Sequence, residues 1–303
     1  MFKNVHSVKI MKKILVCFFL LTSLFILTMP GQAAETLPRG DFAELRETGI
    51  AKVTQVIDPQ TLQLDDGQII ALAGLDFPDL VVKEPGELAL LAAQILRDML
   101  EGKEVRIYQT QGKDWGRSNR MGHQIAHIAR KSDGAWVQGV LLDLGLARVM
   151  TGSRNPEMAA QMYALEQSAR EAKIGLWDGK AYKILSPIEA ADAIESFQIV
   201  EGKIESVSLN KNRVYLNFGK NWRDDFTVSV APGDKRLFTK AGIDLMMLGG
   251  KTVRARGWVR SYNGPYMEID HPQALEFVGE KNSEPDPLPD ASESPMLRTI
   301  DNN

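Results

Sequence analysis

The chain has 303 residues, enough for about two domains, and its 44% hydrophobic and 25% charged residues are ordinary for a globular protein. Its formal net charge of −3 excludes a general electrostatic attraction to nucleic acid, so any anion-binding surface has to be local. The single cysteine, Cys17, lies in the N-terminal segment, which excludes disulfides, cysteine nucleophiles and thiolate metal sites from the rest of the chain.

The N-terminal segment has the pattern of a secretory signal peptide. Two lysines precede an apolar run at 14–29, and small residues suited to cleavage follow it. We therefore predict a signal peptide at 1–34 and an exported protein, either periplasmic or secreted. An uncleaved membrane anchor is the alternative, although the run is short for a span, and Met11 is an alternative start. Residues 35–48 form a polar lead-in.

The first domain, predicted at 49–178, opens with three short strands. Residues 53–57, 61–64 and 68–75 carry strand-type patterns, and Asp66-Gly67 is a hairpin turn. The elements predicted after them are a helix at 84–100, strands at 105–108 and 124–129, and helices at 137–145 and 155–173. This order predicts an α+β fold that is mainly β, namely a five-stranded barrel with three helices attached.

Three pieces of this domain follow one another at a telling spacing. They are Asp58-Pro59-Gln60-Thr61-Leu62, then Asp66-Gly67, then Ala71-Leu72-Ala73-Gly74-Leu75-Asp76-Phe77-Pro78-Asp79. The stretch resembles the front half of the staphylococcal nuclease (thermonuclease) family, whose third piece reads Arg-Leu-x-Gly-Ile-Asp-x-Pro-Glu. The closing pattern Glu166…Ala169-Arg170…Gly175-Leu176-Trp177 also fits the family. The resemblance implies an oligonucleotide/oligosaccharide-binding-type barrel.

The resemblance also implies a calcium-dependent phosphodiester hydrolase, in which two aspartates hold the ion and a glutamate orients the attacking water. The first metal aspartate falls on Gln60, a neutral amide, and the second is kept as Asp76. The glutamate falls on Asp79, which is one methylene shorter. Asp58 is a further candidate metal ligand, with the alternative that it is a turn residue bonded to its own backbone.

Two arginines clamp the phosphate in that family, and neither is in place here. The first falls on Ala71. The register of the strand at 124–129 places the second on His123, whereas Arg117 matches the local motif better but lies outside that register. His123 and His127 are roughly 13 Å apart along one strand face, too far to share a metal, and are expected at the surface.

The changed positions predict a catalytically impaired domain. Losing one transition-state donor costs about 10²–10³ in rate, and a calcium site with one carboxylate fewer binds more weakly. Asp79, Arg117 and His123 are then catalytic remnants. The alternative is an active calcium-dependent nuclease with a rearranged site, built from Asp76, Asp79 and the displaced Arg117.

A second small β-barrel domain of the same general class is predicted at 197–278. The linker at 179–196 precedes it, and the linker helix begins at the capping box Ser186-Pro187-Ile188-Glu189. The strands of the second domain are predicted at 197–206, 213–218, 225–230, 252–261 and 266–269, with a helix at 235–241. Tyr215 and Trp222 are aromatic residues that lie in or beside these strands.

One strand of this second domain carries a basic face. Four alternate residues are arginine or tryptophan, namely Arg254, Arg256, Trp258 and Arg260. Basic groups with an aromatic platform suit single-stranded nucleic acid or another anionic polymer. The alternative is a solvated strand face on which the tryptophan packs against arginine stems.

The acidic tail at 279–303 has too little apolar content to fold. Together these observations predict an exported binding or scaffold module for nucleic acid or another anionic ligand. A structural role in an envelope complex, with the tail as the contact to a protein partner, is a further alternative. A membrane would be involved only through an uncleaved signal segment.

Overall fold

The computed structural model describes residues 36–80, 84–112, 116–221 and 225–279. The predicted signal peptide lies outside these residues, and so does the predicted tail apart from Gly279. Within the described ranges, no helix is long and apolar enough to cross a membrane.

The first domain is a closed, mixed five-stranded barrel. Its strands are β1 (Leu45–Asp58), β2 (Thr61–Leu64), β3 (Ile69–Leu72), β5 (Glu104–Thr110) and β6 (Gln124–Arg130), and the short β4 (Leu75–Asp76) pairs with β7 (Arg148–Val149). The neighbour order is β1-β2-β3-β6-β5, with β3 and β6 parallel and the other pairs antiparallel. The predicted α+β barrel is confirmed.

The barrel closes because β1 is long and bent. Its first half pairs with β5 and its second half pairs with β2, and the register is irregular near Gly49 and Val53. Such bulges turn a strand sharply enough to serve two neighbours in a small barrel. Since β1 begins at Leu45, the end of the predicted lead-in already belongs to the barrel.

Three helices cover the barrel as predicted, namely α1 (Glu87–Leu100), α2 (Val137–Asp143) and α3 (Ala159–Ala172). The face of α1 that carries Ala92, Leu96 and Leu100 is buried in the first hydrophobic core, as the helical spacing predicted. Helix α3 begins later than predicted because Met158 has a φ of 65°, in the left-handed region, which an α-helix cannot include.

The second domain repeats the strand topology of the first. It contains β8 (Ser196–Lys203), β9 (Ser206–Asn210), β10 (Arg213–Asn217), β11 (Thr227–Val230), β12 (Thr252–Ser261), β13 (Pro265–Ile269) and β14 (Leu275–Phe277), with α4 (Lys235–Lys240). The neighbour path runs β9-β10-β11-β13-β12-β8, with β11 and β13 parallel. Only two residues separate β8 from β9. The two strands together therefore take the place of the long, bent β1 of the first domain, since β8 pairs with β12 and β9 pairs with β10.

The linker is less helical than predicted. Only Glu189–Ala193 forms a short 3-10 helix. The predicted capping box is present, because the Ser186 amide donates to Glu189 Oε2 at 2.8 Å and the Glu189 amide donates to Ser186 Oγ at 3.4 Å. A small hydrophobic cluster next to the linker joins the domains, since Ala169, Leu176 and Trp177 of the first domain pack against Ile199 of the second.

Candidate functional site

Asp58 and Gln60 form a turn between β1 and β2. The Gln60 amide donates to Asp58 Oδ1 at 2.7 Å, so this carboxylate is used by the backbone two residues ahead. The side-chain amide of Gln60 donates to the Leu75 carbonyl at 3.3 Å. Both side chains therefore serve the local backbone where the nuclease family has its first metal aspartate.

Asp76 forms an ion pair with Arg148. The two residues are opposite each other in the β4–β7 pair, and Arg148 Nε donates to Asp76 Oδ2 at 2.6 Å. The Arg148 side chain is only 4% exposed. A charge-assisted hydrogen bond of this length in a buried setting balances the carboxylate charge with a fixed cation.

The same arginine reaches into the second domain. Arg148 Nη2 donates to the Phe197 carbonyl at 2.5 Å, and the guanidinium lies over the rings of Tyr182 and Phe197, at 4.5 Å and 5.0 Å from their centroids. Aromatic faces stabilise a desolvated cation. Asp76, the one kept metal aspartate, thus belongs to an interdomain contact.

Asp79 is bound to the start of α1. Its Oδ2 accepts hydrogen bonds from the amides of Leu88 and Ala89, at 3.0 Å and 3.2 Å. These are two of the N-terminal amides that have no partner inside the helix. Gly86 fits beside this carboxylate, because a Cβ at that position would lie 2.4 Å from Asp79 Oδ2.

Arg117 and His123 lie at the β5–β6 connection. The Arg117 guanidinium donates to the carbonyls of Thr110 and Gly112, at 3.2 Å and 2.9 Å, and so braces that loop. His123 is half-buried directly before β6, and its amide donates to Asn119 Oδ1 at 3.0 Å. Residues 113–115, the other part of the Arg117 motif, lie outside the described ranges.

The candidate acids do not assemble a metal site. In the part of the chain that the structure describes, no three His, Cys, Asp or Glu side chains lie where they could hold one ion together. Calcium requires several oxygen ligands with a net negative charge. Because Asp76 already faces a guanidinium at 2.6 Å, the residues present do not fit that ion.

His127 is buried, so its expected surface position is wrong. It lies beside Trp136, with ring centroids 5.8 Å apart, under the lead-in segment, whose Phe42 stacks on Tyr108 at 4.1 Å. Burial lowers the pKa of His127 to about 3. The β6 alternation identified the face that carries His127 but gave no sign that another segment covers it.

The basic strand β12 is divided between two environments. Arg256 is buried, with Nη2 2.5 Å from Glu166 Oε2 and Nη1 3.1 Å from Glu166 Oε1 in helix α3 of the first domain. Arg254 forms ion pairs with Glu201 and Glu276, both at 2.6 Å. The expected open face of four alternating residues is therefore wrong at these two arginines, because Glu166 of the first domain binds Arg256 and two acids of the second domain bind Arg254.

The acids around Arg256 stabilise its buried charge. Burial by itself lowers the pKa of Arg256, but Glu166 and the other nearby groups more than offset this and raise the pKa above its usual value. Glu276, 3.1 Å from Arg256, has a lowered pKa because the surrounding arginines outweigh its burial. An additional hydrogen bond, from the Val149 amide to Glu166 Oε1 at 3.0 Å, holds the acceptor in place.

Trp258 and Arg260 remain exposed at the other end of β12. Trp222, the other tryptophan of this domain considered in the sequence, lies outside the described residues.

The sequence reasoning did not mention Arg148, and it named Glu166 only for its fit to the family, not as a residue at which the domains meet. A signal was available for Arg148, because it is a lone charge in the apolar run from Leu146 to Met150, and a buried charge needs a partner. Glu166 occupies an inward position of an otherwise amphipathic helix, so it too is a buried charge that needs a partner.

The comparisons with known proteins agree with this architecture. The family model of staphylococcal nuclease homologues matches residues 69–179, which is less than half of the chain. The match begins at β3 and ends just after Trp177, so β1 and β2 complete the barrel ahead of it. No curated protein matches the chain. Residues 69–179 of the chain therefore match the staphylococcal nuclease homologue family.

Proposed function

We propose that this protein is an exported staphylococcal nuclease-like module that lacks calcium-dependent phosphodiesterase activity. It acts instead as a binding or scaffold module for nucleic acid or another anionic ligand. The signal pattern at 1–34 supports export. If the protein is a scaffold, its protein partner would be in the cell envelope.

The Asp76–Arg148 ion pair is the observation that carries the proposal. For Asp76 to bind calcium, the ion would have to displace a guanidinium at 2.6 Å. That displacement would leave Arg148 buried without its carboxylate, and breaking a buried pair in this way costs about 3–5 kcal/mol. The ion pair therefore competes directly with the metal.

The phosphate-binding side of the chemistry is weakened as well. The two clamp positions of the family correspond to Ala71 and His123, and each missing donor costs about 10²–10³ in rate. Arg117, the displaced candidate, uses its guanidinium on the Thr110 and Gly112 carbonyls. Metal binding and phosphate binding are thus altered together.

Cleavage of single-stranded DNA and RNA by the purified chain, with calcium and with chelator, tests the loss of activity. We expect the same low background in both conditions and no change on Asp76→Ala. Turnover that requires calcium and disappears in Asp76→Ala would overturn the proposal in favour of the rearranged enzyme.

Gel-shift titration tests the binding half of the proposal. Single-stranded oligonucleotides and a second anionic polymer, heparin, are the probes. We expect retardation of at least one of them at micromolar protein. If neither probe is retarded, the anionic-ligand proposal fails, and a structural role in an envelope complex takes its place.

A further inference from the structure

The outer face of the second domain has a coherent set of side chains. Residues directly opposite each other in a sheet project on the same side. Arg260 is opposite Tyr266, Tyr266 is opposite Thr227, and Ser229 is opposite Tyr215. One continuous surface therefore runs from the end of β12 across β13 and β11 to β10.

Aromatic rings dominate this surface. Trp258 is 48% exposed and Tyr262 is 60% exposed, values that are high for such large side chains. The Tyr262 ring meets the Tyr266 ring edge to face, with centroids 5.3 Å apart. Tyr215 is half-buried on β10. We call Arg213, Tyr215, Trp258, Arg260, Tyr262 and Tyr266 the aromatic face.

The floor beneath the aromatic face is small and polar. Thr227 and Ser229 on β11 are buried. Ser229 Oγ and the Tyr266 hydroxyl share a hydrogen bond, and Arg213 Nη1 donates to Ser229 Oγ at 3.1 Å. These bonds fix the Tyr266 ring and the Arg213 guanidinium, so the surface is ordered before any ligand arrives.

The other end of the same β12 face is occupied. Arg256 is bound by Glu166 of the first domain and by Glu276, and Arg254 is bound by Glu276. The outer side of β10 and β11, the second and third strands of this topology, carries Tyr215, Thr227 and Ser229. Barrels of this topology offer the corresponding strands to oligonucleotides and oligosaccharides.

The charge of the aromatic face is low. Arg213 is paired with Glu268 at 2.8 Å, whereas Arg260 is exposed. A face with two arginines, one of them already paired, cannot attract a polyanion strongly by charge. Most of the binding free energy of a ligand here would have to come from stacking on the rings.

We propose that the aromatic face binds single-stranded nucleic acid by base stacking, with Arg260 and Arg213 contacting the backbone. This rests on the proposed function, because it names the site and the ligand class of the same binding role. Every base has a flat face, so stacking tolerates many sequences and is worth about 1–3 kcal/mol per base.

Fluorescence anisotropy of a labelled thymidine 15-mer, titrated with the purified chain, tests the site. We expect Trp258→Ala and Tyr262→Ala each to weaken binding by about 5- to 150-fold. Met121→Ala is the matched control, because Met121 is 74% exposed but lies in the first domain. Thermal melting of each variant checks that these exposed substitutions leave the fold intact.

The salt dependence tests the mechanism. With at most two phosphates neutralised on a single strand, affinity should fall only about seven-fold between 50 mM and 200 mM salt. A much steeper fall would show that charge elsewhere on the chain carries the binding and would overturn the stacking proposal.

The two proposals fail in different ways. If the oligonucleotide binds but both aromatic variants bind as the parent does, the aromatic face is wrong while the proposed function stands. If the oligonucleotide does not bind and a neutral oligosaccharide does, the ligand class is wrong. If heparin alone binds, the aromatic face is again wrong as a nucleic-acid site, and the anionic-ligand proposal survives.

Discussion

At the scale of single residues, the Asp76 carboxylate is held by an arginine of the same chain. Asp76 keeps its identity, but its carboxylate faces Arg148, whose remaining donors and aromatic neighbours belong to the interdomain contact. A buried ion pair of this kind is costly to break, although its net contribution to stability is modest. The chemistry of a residue here depends on its partner more than on its place in a motif.

Asp76→Asn should destabilise the protein because it removes the charge that balances buried Arg148. We expect a loss of about 3–5 kcal/mol in the free energy of unfolding, measured by urea denaturation. Asp98→Asn is the control, since Asp98 is exposed and bonded only to Gln94, and it should cost well under about 1 kcal/mol. Equal, small effects would show that the ion pair is dispensable.

His127 should make the protein sensitive to acid. Its pKa is lowered to about 3 in the folded state, against an ordinary value of about 6.5. Below about pH 6.5 the unfolded chain binds the proton and the folded chain does not, so stability falls as the pH falls towards 3. Above that range the contribution is fully present.

Between pH 6.5 and pH 4.5 the parent should therefore lose about 2–3 kcal/mol more than His127→Leu. Urea denaturation at both pH values measures the difference, and carboxylates common to both chains cancel from it. Parallel pH profiles for the two chains would contradict the assignment.

At the scale of elements, Asp79 shows how a loop residue positions a helix. Asp79 Oδ2 accepts hydrogen bonds from two backbone amides at the start of α1 that have no partner inside the helix, and Gly86 leaves room for the carboxylate. The negative charge also lies at the positive end of the helix dipole. This carboxylate connects the turn after β4 to the helix that covers the barrel.

Asp79→Ala should cost about 1 kcal/mol of stability, the usual value of a lost helix cap. Differential scanning calorimetry measures it as a lower melting temperature, and Asp79→Asn should recover part of the loss because the amide oxygen can still accept. A variant that is as stable as the parent would refute the capping role.

Local elements could be predicted from the sequence, and long-range partners could not. The Asp66-Gly67 turn, the Ser186 capping box and the alternation of β12 depend on neighbouring residues, and the structure contains all three. Alternation assigns Arg256 to a face, but the residue that covers that face is Glu166, 90 positions away. Asp76 and Arg148 are likewise separated by 72 positions.

The candidate site shows the same division. The local pattern predicted that Asp58 ends a strand and that Asp76 and Asp79 flank a turn, and the structure has Asp58 at the end of β1, Asp76 in β4 and Asp79 just after it. It could not reveal that the second domain supplies contacts to Arg148, since nothing in the motif specifies what packs on it. The exposure of Trp258 and Arg260 could be predicted from alternation, whereas the burial of Arg256 required the fold.

At the scale of the whole molecule, the two domains pack against each other around buried charged side chains. Glu166 and Arg170 of the first domain meet Arg256 and Glu276 of the second, and Thr151 bonds His271 at 2.9 Å. Their apolar cluster at Trp177 and Ile199 lies alongside. The domains should therefore unfold together, because neither surface is suited to water alone.

Glu166→Gln should separate their unfolding. Removing this charge leaves Arg256 with Glu276 as its remaining acid, and we expect the single calorimetric transition to split or to move down by several degrees. Glu171→Gln on the exposed side of the same helix is the control and should melt as the parent does. Identical traces for both variants would show that the network does not couple the domains.

Calorimetric titration of calcium into the purified chain tests the central claim most directly, because the claim is that Arg148 occupies the place of a metal at Asp76. We expect no saturable binding at millimolar calcium, for the parent and for Asp76→Asn alike. Saturable one-to-one binding to the parent that is lost in Asp76→Asn would contradict it.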